Sequence, residues 1–262
     1  MFGLVVFLAI VAMAVFAPVL SPYDPLAQGV GKPLEGPTTA HWAGTDSFGR
    51  DIMSRIIYGA RVALVVGIVS VLLAMVIGVT LGLVSGYYGG LADVVIMRVM
   101  DGLFAFPIII LAIAMMAVMG FGVRNVIIAV AVGFIAPFSR VTRGDVLAVK
   151  EEPYIEAARL AGVSGPAIIA RHVLPNVLAP IIVQAALRVS GAIITESGLS
   201  FLGLGPPPPT PVWGSMIAEG RNFIVMAPHI STIPGIALMV TIVGLNLLGD
   251  GLRDTLDPRL RR

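Results

Sequence analysis

The residues with the clearest chemical purpose are Glu156-Ala157-Ala158-Arg159-Leu160-Ala161-Gly162, followed by Leu174-Pro175. They make a short polar segment inside a chain that is otherwise almost continuously apolar. Charges gathered in one internal loop of such a chain point to a soluble partner, so the chemistry offered is surface recognition rather than bond making. The local pattern reads as helix, turn, helix. Glu151 and Glu152 precede Pro153, which suits a first helical turn where carboxylates meet the positive end of the helix dipole. Good helix formers follow, and Gly162 is placed to end the helix in a left-handed conformation. Ser164 is placed to cap a second short helix with Pro166 in its first turn, and Pro175 marks the entry to the next apolar run. Ala157, Ala158 and Ala161 leave a low-profile face that another surface could approach closely. The bland alternative is a solvated connector holding a Glu156–Arg159 pair, worth about 0.2–0.5 kcal/mol. The residues alone leave these two readings level.

Other candidate groups lie at membrane depth. In the fifth apolar run Gln184 and Arg188 are four apart, and Gly191 and Thr195 continue roughly the same helical face. An intramembrane Arg is costly and marks a functional site by default. Lining of a pathway, or contact with a partner subunit, is one reading of Gln184, Arg188 and Thr195. The other has Arg188, about 20 Å beyond Pro175 at the rise of an α-helix, snorkelling to the outer interface. Glu196 follows just past that run and is a candidate contact at an outer gate or with an external protein. Arg98 and Asp101 are spaced to pair on one helix face. His41, His172 and His229 are too scattered to suggest a metal site, and a chain without Cys has no thiolate nucleophile or thiolate metal ligand. A phosphate-cradling loop needs a Lys beside Ser or Thr. Here Lys32 is followed by Pro33 and Lys150 by Glu151, so ATP hydrolysis does not belong to this chain.

Composition sets what must hold these groups. Of 262 residues, 57% are hydrophobic and 12% charged, with mean hydropathy +0.97. Soluble domains carry about 25% charged residues, so lipid must solvate much of this apolar surface. A net charge of +2 is too small to suggest nucleic acid. Six apolar runs of membrane-spanning length are predicted, at 2–17, 60–85, 91–119, 123–141, Pro175 to 194, and 228–248. The first lacks a basic flank, which favours a retained helix over a cleaved signal peptide. Six spans put both termini on one side. That side would hold Arg98, Arg140, Arg143, Lys150, Arg159, Arg171, Arg253, Arg259, Arg261 and Arg262. The other would hold Lys32, Arg50, Arg55, Arg61, Arg124 and Arg221. This bias, densest at 140–171, predicts cytoplasmic termini. It makes 18–59 and 195–227 extracytoplasmic and 142–175 cytoplasmic, within a single transmembrane domain over 1–262. In the second run Gly78, Gly82 and Gly86 are spaced by four, with Gly67, Ser70 and Ala74 on the same general face. Such stripes allow close helix approach; intramolecular packing is favoured over a subunit interface. In 18–59, Pro18, Pro22, Pro25, Pro33 and Pro37 argue against a long helix, and Gly44 to Asp51 read as a turn before a helical run. Asp46 and Asp51 beside Arg50 and Arg55 read as a solvated charge cluster, with a protein dock as the alternative.

Several segments resemble one family. Glu156-Ala157-Ala158, three residues, Gly162, nine residues, His172, one residue and Leu174-Pro175 match the EAA loop of binding-protein-dependent ABC importer permeases. That pattern often has Ile where this chain has His172, and Arg171-His172-Val173-Leu174-Pro175-Asn176 resembles its dipeptide/oligopeptide branch. Gly44-Thr45-Asp46 with Gly49-Arg50-Asp51, Ser85-Gly86-Tyr87-Tyr88-Gly89-Gly90, the run from Glu196 to Gly205, Trp213-Gly214 and the run from Asn246 to Asp254 resemble the same branch, in order. Within it the chain is similar to the "C" permease. One departure is the absence of the basic tail that commonly precedes the first span. The resemblance implies an all-α polytopic membrane protein of about six transmembrane helices, like a type I ABC importer permease, in the bacterial inner membrane. It implies a second, "B"-type permease, two cytoplasmic ATPases that hold ATP and Mg, an extracytoplasmic substrate-binding protein, and no cofactor on this chain. Glu156, Ala157, Ala158 and Gly162 would sit in the helix that couples to the ATPase, with Arg171, His172 and Pro175 completing the loop. Short peptides are the implied cargo, with nickel complexes or glutathione as alternatives. A stand-alone secondary transporter or channel is the competing class; it would leave the cytoplasmic loop unexplained. An intramembrane enzyme would need a compact catalytic set that the sequence does not offer.

Overall fold

In lipid every backbone polar group must find a partner within the chain, which selects helices for a sequence of this kind. A computed structural model describes residues 2–256; among them the regular elements are all helices, one isolated bridge joins Thr45 and Asp51, and 21–51 and 202–212 are otherwise turns and irregular chain. Arg259, Arg261 and Arg262 of the orientation argument lie outside the described residues. In chain order the helices are α1 (Phe2–Val15), α2 (Ala17–Leu20), α3 (Ile52–Tyr88), α4 (Gly90–Phe104), α5 (Ile108–Met119) and α6 (Val123–Val149). After them come α7 (Pro153–Leu160), α8 (Gly165–Ile168), α9 (Leu174–Phe201), α10 (Trp213–Arg221) and α11 (His229–Leu256). Four helical stretches are long and apolar enough to cross a membrane: α3, α6, α8 through α9, and α11. The pair α4–α5 makes a fifth if counted as one span, and α1 is a shorter apolar helix.

Three of the expected spans differ in form. The second begins at Ile52 rather than 60, because Asp51 caps the helix: its carboxylate accepts from the Ser54 amide at 2.7 Å. The resulting 37 residues reach about 55 Å, well beyond a hydrocarbon core of about 30 Å. The third is not one helix. Pro107 removes a donor and drives Phe106 away from helical geometry, and α4 and α5 meet at 89°. The fifth starts earlier and ends later than expected: residues 165–201 run as one helix, through a π-helical turn at Ile169–Val173. Pro175 explains the turn, since its ring would collide with the carbonyl four residues back in a regular α-helix. Consequently 142–175 contains the end of α6 and the start of the fifth span, and 195–227 contains the last turns of α9 as well as α10.

The small-residue stripe packs inside the chain. A methyl built at Gly78 would sit 2.6 Å from the Ile135 carbonyl oxygen, and one at Gly82 would sit 2.6 Å from that of Ser139. α3 and α6 thus touch backbone to backbone, and no residue larger than Gly fits at either crossing. Three turns nearer the start of α3, Gly67 meets Ile193 of α9. One buried cluster joins α3, α5, α6 and α9; a second gathers α1, the start of α3, α10 and α11 around Trp213.

Candidate functional site

The polar loop folds as a hook. α7 is held by Ile155, which is fully buried. Its end is a Schellman motif: the Gly162 amide donates to the Arg159 carbonyl at 3.0 Å and the Val163 amide to the Ala158 carbonyl at 3.1 Å, with Gly162 at φ 78°. α8 then turns back toward the membrane, with Gly165 seated beside Tyr88. Two expected details differ. The Ser164 side chain makes no capping hydrogen bond; the helix start relies on Pro166 and the Ser164 carbonyl. Arg159 does not pair with Glu156 but lies over the Tyr87 ring, 5.3 Å from its centroid.

Exposure divides the hook into two faces. Ile155 and Ala158 turn inward, Ala158 half-buried against the chain's own core. Glu156, Ala157, Arg159, Leu160, Ala161 and Gly162 are exposed, with Leu160 at 83%. Leu160 thus presents an apolar side chain on a helix outside the long apolar stretches. Arg171 and Pro175 are also exposed, and His172 is half-buried, its carbonyl accepting from Asn176 Nδ2 at 2.6 Å.

Beside the hook, Arg143 of α6 makes a two-pronged pair with Asp93 of α4, both contacts at 2.6 Å, and Ser85 of α3 also bonds Asp93. Three helices are thereby tied where α4 begins. Asp101 pairs with Arg140 at 2.6 Å rather than with Arg98, because the guanidinium of α6 also stacks on Phe104 and faces the carboxylate directly. Sequence spacing could not find these long-range partners. The Tyr87-Tyr88 pair between glycines at the C-terminal end of α3 was the available signal, since aromatic residues favour membrane interfaces.

The candidate pathway residues separate. Gln184, Arg188 and Thr195 lie on a half-exposed face of α9. Thr195 Oγ1 bonds the Gly191 carbonyl at 2.9 Å, an ordinary intrahelical closure. Arg188 lies over the Phe134 ring at 5.5 Å and lines a cleft of about 380 Å³ at the α4–α5 break. Because α9 continues to Phe201, Arg188 stands about 20 Å from its last residue rather than close to the helix end. Glu196 is not past the helix but within it, 1% exposed, accepting from Ser200 Oγ at 2.7 Å and Ser197 Oγ at 3.3 Å. It packs where α9 meets α10 rather than facing outward.

The charge cluster before α3 is buried, not solvated. Asp46 takes the Phe48 and Arg50 amides at 2.8 and 3.0 Å, and its other oxygen meets Arg50 Nε at 2.6 Å and Arg55 Nε at 3.7 Å. Arg50 also reaches Glu219 of α10 at 2.9 Å, and His41 bonds Asp51 at 3.0 Å. With Trp213 Nε1 on the Ile56 carbonyl at 3.0 Å, these contacts join the two segments outside the spans into one cap.

Residues 78–262 match the family described as binding-protein-dependent transport system inner membrane component, and residues 1–37 match the N-terminal TM domain of oligopeptide transport permease C. The chain is 50% identical over 257 residues to the glutathione transport system permease protein of Pectobacterium atrosepticum, covering 97% of this chain and 85% of that one. It is 44% identical over 259 residues to the dipeptide transport system permease protein of Alkalihalophilus pseudofirmus, covering 99% and 85%. Its fold is similar to a chain of the MetNI methionine ABC transporter in an inward-facing conformation, with TM-score 0.62, 19% identity, and coverage of 79% of this chain and 98% of that one.

Proposed function

This chain belongs to the family of binding-protein-dependent transport inner-membrane components, as a permease of the peptide ABC importer group, and on that premise we propose how it works. It pairs with a second permease to enclose a path, receives short peptides from an extracytoplasmic binding protein, and is driven by two cytoplasmic ATPases that supply ATP and Mg. Both termini and 142–175 face the cytoplasm; 18–59 and 195–227 face outward, as the Lys and Arg distribution favours.

The observation that carries the reading is the hook at 153–168. Its inward side, Ile155 and Ala158, is seated on the chain, while its outward side offers Ala157, Ala161 and Leu160. Small side chains permit close approach, and Leu160 fills a partner pocket. Movement of an ATPase carrying the hook is passed through Arg159 on Tyr87 and Gly165 on Tyr88 to α3, and through Ser85 and Arg143 to α4. Rigid-body motion of packed helices then exchanges access between the two sides.

Leu160→Asp tests the coupling. The side chain touches little of its own chain, so insertion and folding persist, while a carboxylate in the partner pocket lowers ATPase co-purification and abolishes uptake. Wild-type uptake by this variant would show that the hook is not the coupling element. A second cargo, glutathione, is favoured by the 50% identity to a glutathione permease. It is itself a tripeptide, so competition between labelled glutathione and di- and tripeptides in the reconstituted importer ranks the two.

A further inference from the structure

Arg188 is a cation without an anion. On α4 and α6, Asp93 pairs with Arg143 and Asp101 with Arg140, but no carboxylate among the described residues lies within 4.0 Å of Arg188. A guanidinium within a membrane-spanning helix is costly, and such groups in membrane proteins pair or serve a pathway. Its guanidinium lies over the face of Phe134, at 5.5 Å. Stacking occupies the plane of the guanidinium and leaves its N–H edges free, the edges that grip a carboxylate in a two-pronged pair. The free edges adjoin a cleft of about 380 Å³, within the size range of small-molecule sites. That cleft lies where the span is broken between Phe104 and Ile108, at the N-terminal end of α5, where the helix dipole favours an anion.

We propose that Arg188 holds the carboxylate of the cargo as it crosses the membrane. This rests on the reading of short peptides as cargo and adds the group by which they are recognised inside the permease. The contact is transient: one charge-assisted pair, unsupported by other charged groups, orients the solute without trapping it. It reads a feature shared by all free peptides, so it does not rank their side chains.

The test uses the complete importer in proteoliposomes, with saturating binding protein loaded either with a tripeptide or with its C-terminal amide. Arg188→Ala should lower uptake of the free acid about tenfold or more, the scale of a charge-assisted hydrogen bond, and that of the amide less than about twofold. Arg188→Lys should restore much of the free-acid rate. Equal losses for acid and amide, with subunits still co-purifying, would overturn the proposal and assign Arg188 to packing or to an acidic group of the partner permease. No loss for either would overturn it as well. Should the wild-type importer carry no peptide, the cargo reading fails separately. The same comparison then uses glutathione against its diester, and equal losses there again overturn the role of Arg188.

Discussion

At the scale of single residues, two positions show how local chemistry is spent. Gly162 sits at φ 78°, and nothing lies within 4 Å of where its Cβ would be. Only backbone conformation therefore restricts the position. Gly162→Val should cost about 1–2 kcal/mol in the turn and tilt α7, lowering ATPase co-purification while membrane insertion is kept. Gly162→Asn should be tolerated, because Asn enters the left-handed region readily. Pull-down of the ATPases by each variant checks both outcomes; equal behaviour of Val and Asn would mean that the turn's handedness is irrelevant. Asp46 differs in kind. It is the carboxylate shared by Arg50 and Arg55, whose side chains are 4% and 2% exposed. Asp46→Ala leaves buried cations short of their counter-charge, a loss of about 3–5 kcal/mol when a buried pair is broken. Thermal unfolding in detergent should fall clearly, and 18–51 should become sensitive to protease. Glu219→Ala should cost less, because that side chain is 30% exposed and water can replace part of the contact.

At the scale of elements, legibility follows the range of the interaction. α3, α6 and α11 were visible because lipid exposure demands long apolar runs, and the Gly162 turn was visible because αL geometry selects glycine locally. The 89° break was less legible: Pro107 was in plain view, but apolar residues continue on both sides, and hydropathy cannot distinguish a broken span from a straight one. The buried state of Asp46, Arg50 and Arg55 was misread as solvated, because its cause is α10, more than 150 residues later in the chain. Likewise the partner of Asp101 stands 39 positions away, and spacing on one helix suggested Arg98 instead. The α3–α6 crossing supplies a test of packing. Gly82→Val would drive its side chain onto the Ser139 carbonyl and Thr142, where the backbones already touch. It should destabilise by about 1–3 kcal/mol, the usual cost of overpacking, and lower the yield of folded chain. Thr80→Val, on an exposed face of α3, is the control and should change neither.

At the scale of the whole molecule, the two ends of the helices are built for different tasks. At one end, buried ion pairs and Trp213 lock the segments before α3 and after α9 into one body. At the other end the hook is held by two buried isoleucines, Ile155 and Ile168, an aromatic stack and a capped turn, and its far face is open. The proposed coupling to an ATPase requires this asymmetry: a hook firm within itself and open on the face that would meet its driver. The chain also carries no Lys beside Ser or Thr, so no phosphate-cradling loop of the known form can assemble on it. The purified chain should therefore show no ATP hydrolysis above a detergent blank and no solute uptake in vesicles. Both activities should appear together when a second permease, the ATPases and a loaded binding protein are added, and leaving out the ATPases should remove both. Robust ATP hydrolysis by the isolated chain would sink this division of labour. Uptake by the isolated chain down a solute gradient would instead make it a self-sufficient carrier, and the open face of the hook would then need a different occupant.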